Sequence, residues 1–176
     1  MSTEPKSYRH PHLLAAIILM VALGVTWLAY APGMTGSLHF DDRENLAGLA
    51  TVDNWESAFY FLANGIAGPT GRPIALASFI HEAYAWPGSP EVFLRTNILI
   101  HLLNGVLVTW FLYLLGRTQG QTEHRSALIA TIAGGLWMLM PLLASSSLFI
   151  VQRMTTLAAV FSLLGAVGYL YARGQI

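Results

Sequence analysis

Two carboxylates side by side, Asp41 and Asp42 in the segment HFDDREN (His39 to Asn45), are the residues best suited to move a proton. Near a low-dielectric boundary two such neighbours compete as charges, which favours one of them as a general base or as part of a metal site. The plain alternative is a solvated loop in which Asp42 or Asn45 caps a short helix. A second set, Asn97, His101 and Asn104, recurs at helical spacing, so its side chains share one stripe facing away from lipid. That stripe either hydrogen-bonds between helices or lines a site. Imidazole binds metals, but neither a carboxylate nor a second histidine stands at ligand spacing from His101. A third set comprises Gln152 with Arg153, and Arg72. Each arginine either snorkels to lipid headgroups or holds a lipid phosphate with its planar fork.

These groups sit in a chain poor in charge. Of 176 residues, 55% are hydrophobic and 10% charged, with nine basic and nine acidic side chains. That balance is too apolar to dress an ordinary soluble domain. A net charge near zero supplies no broad basic field, which excludes nucleic acid as an expected partner. With no cysteine, disulfides and thiolate metal sites are also excluded, and the redox compartment stays open.

The apolar residues gather into runs long enough for a bilayer. Residues 13–31 carry no charge and match the roughly 20 residues that span a hydrocarbon core. The run is longer than a signal-peptide core, and Trp27 and Tyr30 suit an interface, so an anchor is favoured over a cleaved leader. Residues 92–115, 127–144 and 154–172 supply three further spans, giving an all-α integral membrane protein with about four transmembrane helices. Residues 1–12 and 173–176 are then tails, 116–126 a short loop and 145–153 a tight connection. Lys6, Arg9, Arg117, Arg125 and Arg173 all fall on one face, which the positive-inside rule makes cytoplasmic. Both termini are therefore expected in the cytoplasm.

The other face receives a long first outer loop, residues 32–91, where acidic residues outnumber Arg43 and Arg72. Two helices are expected in it. Near 51–66, Val52, Trp55, Phe59, Leu62 and Ile66 recur three or four apart and predict a helix lying along the membrane surface. Near 73–86, Pro73 opens a second helix after the turn signal GPTGR, and Trp86-Pro87-Gly88 closes it. A long external segment with its own helices more often carries function than mere connection.

The ordered segments FDDRENL, DNWESAFYFL, GRPIALASF, FLRTNILIHLLNGVLV and IVQRMTTLAAVFSLLGAVGYLYARG carry a resemblance. The chain resembles the N-terminal part of bacterial GT-C-type membrane glycosyltransferases, related to the transmembrane and tetratricopeptide-repeat O-mannosyltransferases. It is similar, more distantly, to oligosaccharyltransferases that glycosylate pilins. The likeness runs from about Leu13 to Arg173, and IVQRMTTLAA is its most specific piece. It implies a polyprenyl-phosphate sugar donor, a protein hydroxyl as acceptor, and residence in the bacterial inner membrane with the loop in the periplasm. By the same resemblance Asp41 and Asp42 serve as catalytic base or help hold a divalent metal. Arg153, Gln152 and Arg72 are placed at the donor phosphate, where a guanidinium would stabilise the charge that develops on the departing lipid phosphate.

Because enzymes of that family contain further transmembrane helices, the chain is expected to act as a module that other helices complete. The alternative is a non-catalytic membrane subunit of the same ancestry, packed into a larger complex through its apolar helices and surface loop. A transporter or channel is disfavoured, since no buried ion-pair chain or discontinuous helix pair is evident and Pro141 offers a single break.

Overall fold

The computed structural model describes residues 11–66 and 71–174, which include no strand. Lys6, Arg9 and most of the turn GPTGR lie outside the described residues. Four long helical segments form a bundle. They are α1 (Pro11–Tyr30), α5 (Pro90–Thr118), α6 (Glu123–Met138) and α8 (Arg153–Arg173), with a short α7 (Ala144–Leu148) between the last two. The outer layer between α1 and α5 carries α2 (Phe40–Leu46), α3 (Trp55–Ala63) and α4 (Pro73–Ile80), joined by 3-10 turns. Three helical stretches are long and apolar enough to cross a bilayer, and a fourth if α6 and the bent segment after it form one span.

α5 is the central helix, flanked by α6 and α8, while α1 packs mainly on α6. Pro90 and Glu91 suit its first turn and Arg117 its last, the arrangement that the helix dipole favours. Small residues set the close approach of α5 to α6. A Cβ at Gly134 would overlap the Thr109 hydroxyl, and one at Gly105 would overlap Met138. Without a hydrophobic drive inside lipid, such close backbone packing is the main source of helix association. Away from the contacts, Leu13, Ile17, Met20 and Leu28 of α1 and Phe161 and Leu164 of α8 are exposed, an apolar surface that suits a bilayer.

The third span, expected over 127–144 with Pro141 offering a break, is bent. α6 starts earlier, at Glu123, and ends at Met138, and the segment Pro141–Leu148 bends away by 54°. Pro141 is the cause, because it lacks an N–H and its ring crowds the carbonyl one turn earlier. The Met138 carbonyl, freed at the break, is met by His101 Nε2 at 2.9 Å and by the Tyr30 hydroxyl at 3.4 Å. Since a carbonyl oxygen only accepts, His101 carries its proton on Nε2. Side chains thus restore what the break removes, as a low-dielectric interior demands.

The second outer helix also ends sooner than residue 86. After Ile80 the chain tightens, with Glu82 N–H bonding the Phe79 carbonyl at 3.0 Å, and enters the 3-10 turn Ala83–Ala85. The buried apolar core lies at this junction of outer layer and bundle. Leu46, Leu49, Leu76, Phe79, Phe93 and Ile150 are among its members, drawn from α2, the turns, α4, α5 and the start of α8's approach.

Candidate functional site

The expected site residues divide into two groups once folded. Arg153 lies at the first position of α8 with 0% exposure. Its Nε donates to Asn97 Oδ1 at 2.7 Å, Nη1 to the Ser78 carbonyl at 2.9 Å, and Nη2 to the Phe93 carbonyl at 2.9 Å. Nη2 also meets Glu82 Oε2 at 2.6 Å, and the guanidinium sits 4.2 Å above the centroid of the Phe79 ring. Glu82 is itself buried and accepts a short hydrogen bond from Thr96. One cation therefore joins α4, the turn after it, α5 and α8. Sequence reasoning placed Arg153 and Gln152 at a lipid phosphate. In the structure the Arg153 fork faces inward onto protein groups, and Gln152 accepts from the Thr155 hydroxyl at 2.9 Å.

Asp42 has the same character. It is fully buried, its Oδ2 accepts from His39 N–H at 2.8 Å, and its Oδ1 accepts from Val151 N–H at 2.7 Å. The first bond closes the start of α2. The second ties that helix to the α7–α8 connection, 109 positions along the chain. Charged acceptors bond backbone N–H strongly, so Asp42 is a bracket between two distant segments.

The stripe on α5 is interhelical where the structure places it. Asn97 Nδ2 donates to the carbonyls of Phe149 and Ile150 at 2.9 and 3.2 Å, and Asn104 Nδ2 to the Thr156 carbonyl at 2.9 Å. His101 lies between Tyr30 and Trp137, its ring 5.0 and 5.5 Å from theirs.

Asp41 and Arg72 remain at the surface. Asp41 stands in the first turn of α2, one residue before the bracket. Arg72 occupies the position before α4 with φ +48°, following Gly71 at φ +67°, so two left-handed residues turn the chain there. A non-glycine residue in that region is uncommon and marks a constrained position. Its Nη1 lies 3.7 Å from Met154 Sδ, and both residues line a groove of about 430 Å³ between α4 and α8. Pro73, Ile74, Leu157 and Phe161 are also in its lining, so the groove is mostly apolar, with Thr155 and the Arg72 guanidinium as its polar side chains.

Among the described residues no group of three or more His, Cys, Asp or Glu gathers in metal-binding geometry. Each Asp42 oxygen already accepts a backbone N–H, and among the described residues neither Asp41 nor Asp42 belongs to a set of three such ligands, so the side chains at hand do not make up the divalent site that the resemblance allows. Glu82 is the residue that sequence reasoning passed over, together with its ion pair to Arg153. The available signal was one acid inside the apolar pattern PIALASFIHEAYAW, which a buried helix tolerates only with a cationic partner. Neither the family models, the curated proteins nor the solved structures compared with this chain give a match.

Proposed function

We infer that the chain is a GT-C-like glycosyltransferase module that transfers a sugar from a polyprenyl-phosphate donor to a hydroxyl of an exported protein. The observation that carries this reading is the groove between α4 and α8, a mostly apolar trough with Arg72 in its wall. An isoprenoid tail needs a hydrocarbon-lined channel open to lipid, and its phosphate needs a fork-shaped cation where the channel meets water. In this reading the periplasmic face of the bacterial inner membrane bears the outer layer, and the segments flanking α1 and α8 point to the cytoplasm.

Chemistry is assigned to Asp41. Its carboxylate takes the proton of the acceptor hydroxyl, whose oxygen then bonds the anomeric carbon as the bond to the lipid phosphate breaks. The phosphate leaves with its electron pair, and Arg72 stabilises the added charge. Asp42 and Arg153 act at one remove, as positioning residues that hold α2 and the start of α8 in register.

A second reading has its own support. With Asp42 and Arg153 bound by protein groups, the residues left for catalysis are few, and the apolar faces of α1 and α8 are wide. Those features favour a non-catalytic subunit that packs against further helices of a larger membrane complex. One experiment separates the two. Asp41→Asn, made in cells that carry the full membrane assembly, is expected to abolish sugar transfer to exported protein while membrane insertion and Tm stay as in the parent. Undiminished product would remove the catalytic reading and leave the subunit.

A further inference from the structure

At the start of α3 and in the 3-10 turn after α4, two aromatic rings are bare. Trp55 is 90% exposed and Tyr84 is 81% exposed. Trp is the residue whose burial returns most apolar area, so leaving one so open is costly unless something covers it. The face of α3 turned to protein is formed by Ala58 and Phe61. The apolar stripe that includes Trp55 and Phe59 points away from the core.

Trp55 and Tyr84 share the wall of one depression of about 460 Å³, where the polar Asp53, Asn54 and His81 stand beside apolar residues such as Val52 and Ile80. A second depression of about 480 Å³ adjoins it through Asn54 and is lined by Thr51, Glu56 and Tyr60. Both fall in the roughly 300–1,000 Å³ range of small-molecule sites. Their walls pair apolar surface with polar edges, which is not the chemistry of an anion site. Carboxylates at Asp53 and Glu56 repel phosphate, and the amide, hydroxyl and imidazole groups are wasted on acyl chains. Rings beside carboxylate and amide edges suit a ligand with apolar C–H faces and a periphery of hydroxyls.

We propose that these paired depressions along α3 bind a neutral saccharide chain, stacking sugar rings on Trp55 and Tyr84. Hydroxyls of the sugar donate to Asp53 and Glu56 and accept from the imidazole of His81. The polar groups are held in place beforehand. Ser57 Oγ donates to Asp53 Oδ1 at 2.9 Å, and Asn54 Oδ1 accepts from Ser57 N–H at 2.9 Å, which leaves the second Asp53 oxygen and the Asn54 amide nitrogen for a ligand. Binding here requires neither lipid donor nor transfer, so it stands or falls separately from the catalytic role of Asp41.

The test is calorimetric titration of the full chain, in a polyoxyethylene detergent that has no sugar headgroup. Hexasaccharides of mannose, glucose and N-acetylglucosamine serve as probes, with phosphocholine as a zwitterionic lipid-headgroup control. Saturable binding of at least one hexasaccharide is expected, weakened about tenfold by Trp55→Ala and by Tyr84→Ala, as loss of a stacking face predicts. Because both residues are exposed, each variant is expected to keep the parental Tm. Absence of binding to all three sugars overturns the proposal, and so does binding that Trp55→Ala leaves unchanged. Phosphocholine binding through Trp55 in place of sugar binding overturns it as well. So does strong quenching of Trp55 by brominated lipid, which would assign the face to the membrane.

Discussion

At the outer end of the bundle the chain uses each of two charged residue types twice, in opposite ways. Asp42 and Arg153 are fully buried, their charged atoms meeting backbone and side-chain partners within 3 Å. Asp41, the adjacent residue, and Arg72, on the element beside Arg153's partner Ser78, reach the surface. The difference lies in what a neighbour needs. A carboxylate or guanidinium is buried where it completes backbone groups that irregular chain leaves open, such as Val151 N–H or the Phe93 carbonyl. One left at the surface retains its charge for a ligand. Membrane proteins usually keep ionisable residues for transport or chemistry. Here the most deeply buried charges instead hold the outer layer on the bundle.

The largest expected effect sharpens that contrast between the arginines. Arg153→Ala leaves Glu82 buried without its cation and opens the Asn97, Ser78 and Phe93 acceptors, a loss of about 3–5 kcal/mol by the behaviour of broken buried pairs. Glu82→Ala should cost a similar amount, and the double variant less than the sum, because the pair shares one interaction. Arg72→Ala should change stability by less than about 0.5 kcal/mol, as an exposed substitution does. Thermal unfolding in detergent reads all four. If Arg153→Ala and Arg72→Ala shift Tm equally, the division between structural and free cations fails.

The aspartates give the next step down. Asp42→Ala removes two charge-assisted acceptors and strands His39 and Val151 N–H groups, for a loss of about 2–4 kcal/mol. Asp41→Ala should stay within about 0.5 kcal/mol of the parent, since its side chain is exposed. Amide hydrogen exchange at Val151 provides a local readout. Faster exchange there in Asp42→Ala, and not in Asp41→Ala, is the expected outcome, and equal rates would dissolve the bracket.

Much of the architecture was legible in the residues because hydropathy acts along the chain. Runs such as 13–31 and 154–172 are apolar over a span's length whatever they contact, and Pro73 opens a helix by fixing its own φ. Which of two adjacent aspartates is buried was not legible. The answer depends on a partner at Val151, which no local pattern announces. The same holds for Glu82 and Arg153, separated along the chain but joined at 2.6 Å. Spacing identified the α5 stripe of Asn97, His101 and Asn104, yet left open whether it lined a site. Its partners turned out to be carbonyls at helix ends and breaks. The apolar stripe of α3 was readable, and Trp55 and Phe59 on it are exposed, but periodicity reports only that one side is apolar, not which surface that side will meet.

The smallest effect tests whether the contrast extends from the rim network one turn further along α5, to His101. His101 donates to the carbonyl that the Pro141 break exposes, and Tyr30 approaches the same oxygen at a longer distance. By the logic of the rim, removing the donor should destabilise the fold. Within lipid, however, hydrogen bonds between helices average only about 0.6 kcal/mol, because an unfolded but inserted chain finds other partners. His101→Phe retains a ring between Tyr30 and Trp137, so stacking survives and the change isolates the hydrogen bond. The expected loss is about 1 kcal/mol, and Tyr30→Phe should cost about half as much or less because its bond is long. A Tm drop for His101→Phe as large as that for Arg153→Ala would mean that burial alone sets the scale. A small drop means that the rim network is strong because it replaces water, while the His101 bond merely replaces other bonds available in the membrane.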